Sequence, residues 1–196
     1  MEGKPEILVI GAAIIDVLAH PASPDLFEKG SLPMDSIRMS VGGDAANEAI
    51  VLAHLGKRVQ LETVLGTDRG GQFLGKIFEE KQIILPDYVW QENIQTGVNI
   101  VLVDQNGERH FLTDPKSSLR SLEVDHIHRP YPESVKIVCF ASVFVFPKIR
   151  TEELITIFSQ AKAQGKILCA DLTKRKNQET LEEMKEAFAL IDYLFP

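Results

Sequence analysis

The chain has 196 residues, 44% of them hydrophobic, with a formal net charge of −7 at pH 7. These values describe one globular domain; no apolar run is long enough to span a bilayer, and the acidic balance speaks against a nucleic-acid surface, which needs clustered Lys and Arg. The start, Met1-Glu2-Gly3-Lys4-Pro5-Glu6, lacks the apolar core of a secretion signal, and Cys139 and Cys169 each sit inside an apolar run, the pattern of buried free thiols in a reducing cytoplasm.

In chain order, the first apolar run, Ile7–Ile10, reads as a strand covered on both faces. Ile37, Met39 and Val41 alternate with Ser36, Arg38 and Ser40, the period of a half-buried strand that runs straight into Gly42-Gly43. Beyond the glycines, Ala46, Ala49, Ile50 and Ala53 fall at helical spacing, and Gly56 sits where a helix C-cap belongs. An apolar strand over 59–65 precedes a helix whose stripe is Leu74, Ile77 and Phe78, with Asp68 as its cap.

The pattern then changes. Val98, Ile100 and Leu102 alternate with Asn99, Val101 and Val103, and Asn106-Gly107 supplies a two-residue hairpin turn before a second strand over 108–112. The segment over 35–41 has the same half-polar character, so these strands are expected to pair into a small sheet projecting from the core as a flap. Strands over 137–141, 167–170 and 191–195 alternate with two more helices. The first is capped by Thr151, faces inward with Leu154, Phe158 and Ala161, and ends at Gly165; the second opens at Asn177 and faces inward with Leu181, Met184 and Phe188. This predicts an α/β fold, a doubly wound and mostly parallel sheet with a small antiparallel lid. No helix follows the last strand to cover one of its faces, so the chain is expected to stop inside a fold.

Gly42-Gly43 at a helix entrance lets a ligand approach the backbone, and free N–H groups at a helix start point toward oxygen atoms. Asn47 adds two donors and an acceptor from one side chain, which suits a sugar hydroxyl. The same residues also fit a plain tight turn with Asn47 capping its own helix. Asp44 reads as an ordinary helix-entrance acid. His126-x-His128 has no further ligand pattern and fits a polar loop, Glu152-Glu153 and Glu182-Glu183 fit solvated helix faces, and no Ser-His-Asp or Cys-His set has a supporting motif.

Gly42-Gly43 with Asn47, Ala49 and a helix ending in Leu55-Gly56 resembles the N-terminal signature of the ribokinase-like sugar kinases, also called the phosphofructokinase B family. Gly11 with Asp16, Leu65-Gly66-Thr67-Asp68 with Gly71, and Thr96-Gly97-Val98 agree in order and spacing. Asp171-Leu172-Thr173 followed by Arg175 is similar to the family's Asp-x-Asn-x-Arg segment, with Thr173 in place of Asn. The second family signature, Gly-Ala-Gly-Asp, is not among these residues, so the resemblance covers only about the first two-thirds of such a kinase.

That resemblance implies a ribokinase-like fold over 1–196, incomplete at its end, with lid segments near 17–41 and 96–113. It implies ATP-dependent phosphorylation of a hydroxyl of a small sugar, with Mg2+, and with a monovalent cation as an optional addition. Asp16, Gly42, Gly43, Asn47 and Asn99 would hold the sugar, and Asp171 and Arg175 would lie on the nucleotide side. The family's catalytic Asp is absent, so the chain alone is expected to be inactive. Arg109 and Lys116, on or after the hairpin, leave room for an acidic sugar, whereas Asp44 disfavours a phosphorylated one. A homodimer through the lid is a further expectation. The alternatives are a nucleoside kinase of the same fold, stacking its base on Phe111 or Trp90, and an inactive sugar-binding or dimerisation fragment.

Overall fold

The computed structural model describes residues 3–174 and 180–196. Its elements, in chain order, are β1 (Ile7–Ile10), β2 (Ile14–His20), a one-turn α1 (Leu26–Lys29), β3 (Ser36–Gly42) and α2 (Asp44–His54), then β4 (Val59–Glu62), β5 (Leu65–Gly66) and α3 (Arg69–Glu80). They continue with β6 (Trp90–Gln91), β7 (Val98–Val103), β8 (Arg109–Thr113), β9 (Ile137–Val143), α4 (Thr151–Ala163), β10 (Ile167–Leu172), α5 (Leu181–Phe188) and β11 (Tyr193–Phe195).

The continuous apolar runs form a parallel sheet in the order β11-β10-β9-β1-β4, as their lack of a polar face requires. Alternate residues feed two cores. Leu8, Ile10, Val138, Phe140 and Leu168 pack with Leu154, Ile157 and Phe158 of α4 and Met184 of α5. Ile7, Val9 and Leu61 pack with Ala45, Ala46 and Ala49 of α2 and Leu74 and Phe78 of α3. The alanine face of α2 holds no bulky side chain, so this helix can lie close on β1, β4 and β9, all of which it contacts. Helices thus cover both faces of a parallel sheet, the expected doubly wound layout.

A second, smaller sheet, in the order β3-β2-β7-β8, is the one expected to act as a lid and is termed the lid sheet. Its β2–β3 and β7–β8 ladders are antiparallel, and a parallel β2–β7 ladder joins them. Gly107, with φ 84°, makes the tight turn of the β7–β8 hairpin.

Several local expectations change in three dimensions. The run over 59–65 divides, because β4 stays in the core sheet while β5 turns away to pair with β6, and Gly66 N–H donates to Thr96 Oγ1 at 3.0 Å. The strand β3 is not half-buried: Ile37 is 68% and Met39 56% exposed, because β3 is a lid edge with nothing packed on that side. At α4 the cap position belongs to Arg150, whose N–H is taken by the Glu153 carboxylate at 2.8 Å, while the Thr151 hydroxyl turns to Met184 Sδ. Thr180 caps α5 with Glu183 in a reciprocal box, and Leu181 is exposed, while Met184 and Ala187 are buried and Phe188 packs against the core beside Phe144. Asn177 lies outside the described residues. The last strand occupies only Tyr193–Phe195, at the edge of the core sheet and exposed. Cys139 and Cys169 are free but only half-buried, since they face the stretch of sheet that α2 does not reach.

Candidate functional site

Asp16 sits mid-strand on β2, directly across from Asn99 on β7 and Ser40 on β3. Asn99 Nδ2 donates to Asp16 Oδ1 at 3.3 Å. Gly42 lies against the same carboxylate, and a Cβ there would collide with it, so this glycine makes room for Asp16. Gly43 has φ 88° and its missing Cβ clears the Ala12 carbonyl; it is the N-cap residue of α2 and brings that helix in against the end of β1.

Burial raises the Asp16 carboxyl above the usual carboxylate range, with Asp44 adding to the rise, while the Asn99 bond and the positive charge of Arg109 oppose it. Asn99 is 9% exposed, and its Oδ1 is buried without a hydrogen-bond partner among the described residues. An orphaned acceptor costs roughly 1–3 kcal/mol unless something outside the chain donates to it. Asp16 and Asn99 therefore form a fixed, half-satisfied polar pair on the lid.

A second group gathers where the N-terminus of α2 meets the ends of β9 and β10. Asp44 does not cap its own helix: its carboxylate accepts the Ser142 hydroxyl across from β9. The Ser142 N–H donates to Asp171 Oδ1 at 2.6 Å, and Ser142 holds the left-handed φ of 59° that presents both donors at once. Glu48, one turn beyond Asp44, is pushed up to about 7 by burial and by the neighbouring charges of Asp171 and Asp44. Asp171 is likewise raised, chiefly by burial.

Asn47 is exposed on α2 and lines, with Asp44, Glu48, Cys139, Asp171 and Phe195, a groove of about 650 Å³. No Lys or Arg among the described residues lines this groove.

The structure thus brings Asp16, Gly42 and Asn99 into contact, with Gly43 next to them, and places Asn47 and Asp171 in the adjoining groove, with no hydrogen bond from either to Asp16 among the described residues. Arg175 lies outside the described residues. Sequence reasoning passed over Glu48 and Ser142. The Asp44/Glu48 spacing, which stacks like charges on one helix face, was a usable signal; nothing local marks Ser142. Asp68 is the α3 cap, accepting Gly71 N–H at 2.8 Å and Thr96 N–H at 2.9 Å. Trp90 is half-buried with its ring edge against Gly75 of α3, while Phe111 stands exposed on β8.

Residues 4–196 match the pfkB family of carbohydrate kinases. The chain belongs to the pfkB family. A ribokinase from Dictyostelium discoideum is 30% identical over 136 residues, covering 68% of this chain and 42% of the relative. A fructokinase from Xylella fastidiosa superposes with a TM-score of 0.77 at 28% identity, over 96% of this chain and 58% of that one, and has also been solved with bound ATP. An adenosine kinase from Schistosoma mansoni shares the fold, with a TM-score of 0.73 at 15% identity over 96% of this chain and 61% of that one. The pfkB chain described here therefore spans between two-fifths and about three-fifths of the length of these relatives. Within it, the lid sheet carries the Asp16–Asn99 pair and the core sheet carries Asp171.

Proposed function

We propose that the pfkB-family protein carrying this chain phosphorylates a hydroxyl of a small sugar with ATP, in the cytoplasm, and that these residues hold the acceptor. The observation that carries this reading is the buried, unpartnered Asn99 Oδ1 beside the Asp16 carboxylate. Together they offer three acceptor oxygens to neighbouring hydroxyls, the chemistry that recognises a vicinal diol. Asn47, exposed at the start of the adjoining groove, supplies donors to a further hydroxyl, and the Gly42-Gly43 turn holds the lid against the helix that bears it.

Binding beneath a lid excludes water that would compete with the sugar hydroxyl as phosphoryl acceptor. The ATP-bound fructokinase supports ATP as donor. The groove beside Asn47 and Asp171 is mostly apolar with the carboxylates of Asp44, Glu48 and Asp171 at one side; carboxylates suit Mg2+, while no Lys or Arg among the described residues lines it to hold a triphosphate. Asp171, and Arg175 by the family resemblance, are assigned to the nucleotide side. The bare outer face of the lid, with Ile37, Met39, Val98, Ile100 and Leu112 exposed, supports a lid-to-lid homodimer.

Calorimetric titration of the chain with D-fructose tests the acceptor reading. Asp16→Asn and Asn99→Ala should each weaken binding by about 1–3 kcal/mol, roughly 10- to 100-fold. Unchanged affinity in both variants would remove the pair from the site. The 196-residue chain alone should show no ATP-dependent phosphorylation of the sugar.

A further inference from the structure

The lid face that presents Asp16 continues outward, away from α2, in two more cross-strand rows. Beyond the Ser40–Asp16–Asn99–Thr113 row lies Arg38–Leu18–Val101–Phe111, and beyond that come Ser36 and His20 with Val103 and Arg109. Each row is two residues further along the strands, about 7 Å. These outer rows form a groove of about 520 Å³, lined by Leu18, His20, Ser36, Arg38, Ser40 and Arg109. Ser40, the cross-strand partner of Asp16, is the point where the groove meets the Asp16–Asn99 pair.

The groove reverses the electrostatic character of the rest of the chain. The molecule carries a net charge of −7, yet the lining contains two arginines and a histidine and, among the described residues, no carboxylate. Like several other exposed basic side chains, Arg38 and Arg109 have no ion-pair partner or guanidinium hydrogen bond among the described residues, so both are open to an incoming anion; what sets them apart is that they line one groove. At the opposite end stand Asp44, Glu48 and Asp171. An acceptor with one negatively charged end meets this field in a single orientation, its anion toward the arginines and its hydroxyls toward Asp16. Arg is the side chain suited to hold a carboxylate or phosphate through paired N–H donors.

We infer that the acceptor is an anionic sugar, its hydroxyls held by Asp16 and Asn99 and its carboxylate or phosphate held by Arg38 and Arg109. This rests on the sugar-acceptor reading above and narrows it to a substrate class.

The test is calorimetry on the chain with D-fructose, D-gluconate and D-fructose 1-phosphate, on wild type and on the Arg38→Gln/Arg109→Gln double variant. Both arginines are exposed, so the variant should melt at the wild-type temperature. At least one anionic sugar should bind about tenfold tighter than fructose; the double variant should erase that advantage, and added salt should shrink it. Preference for gluconate identifies a carboxylate, and preference for fructose 1-phosphate a phosphate. Fructose binding as tightly as both anions, or an advantage that survives in the double variant, overturns the inference and leaves the sugar site standing. Binding of none of the three by wild type overturns both.

Discussion

Gly42 shows how one missing Cβ carries a functional side chain. It gives the Asp16 carboxylate a place to lie, and Asn99 then fixes that carboxylate from the other side. Gly42→Ala should therefore cost about 1–3 kcal/mol in urea unfolding, the range for forcing a methyl into a filled space, and should also weaken sugar binding. Glu48 gives a second test at this scale. Its folded value of about 7 lies above the ordinary value of 4.5, so its stabilising share is fully present below about 4.5 and is lost as pH rises through 7. The raised Asp16, Glu62 and Asp171 act in the same direction. The chain should melt at a higher temperature at pH 5 than at pH 8, and Glu48→Gln should narrow that difference by raising the melting temperature at pH 8. A pH profile identical to wild type would show that folding does not shift the Glu48 pKa.

Among the elements, α3 depends on a single cap that also binds it to the lid. Asp68 holds the first turn through Gly71 and the entrance of β7 through Thr96. Asp68→Ala should cost about 1–2 kcal/mol and speed amide hydrogen exchange at Thr96 as well as at Gly71. If the stability loss came without any change at Thr96, the coupling between α3 and the lid would be absent. The lid itself was legible in outline, because alternation over 98–103 and Asn106-Gly107 specify a hairpin locally. The β2–β7 ladder was not, because parallel pairing between strands more than eighty residues apart leaves no local period to read. The exposure of Ile37 and Met39 was hidden for a related reason: alternation marks two faces of a strand without saying that either is covered.

The whole molecule carries two uncovered apolar surfaces. One is the outer lid face with Ile37, Met39, Val98, Ile100 and Leu112; the other is the stretch of core sheet beside α2, where Ile167, Tyr193 and Phe195 are exposed and the half-buried cysteines line the groove that also holds Asn47. Patches of this kind mark surfaces that pack against protein. A lid-mediated dimer should shift toward monomer in Met39→Asp/Ile100→Asp at a fixed concentration in sedimentation velocity, whereas Ile167→Asp should leave that equilibrium in place. The reverse pattern would assign self-association to the core sheet instead.

The sequence by itself determined the alternation of strands and helices, the hairpin turn, the glycine pair before α2 and hence the family resemblance, because periodicity, caps and turn chemistry act between residues close in the chain. Tertiary structure alone decided that Asp16 meets Asn99, that Ser142 bridges Asp44 and Asp171, and that Arg38 and Arg109 share one groove. Those contacts depend on strand order and register, which set charge and burial across the sheet and are not written in any short stretch of the chain.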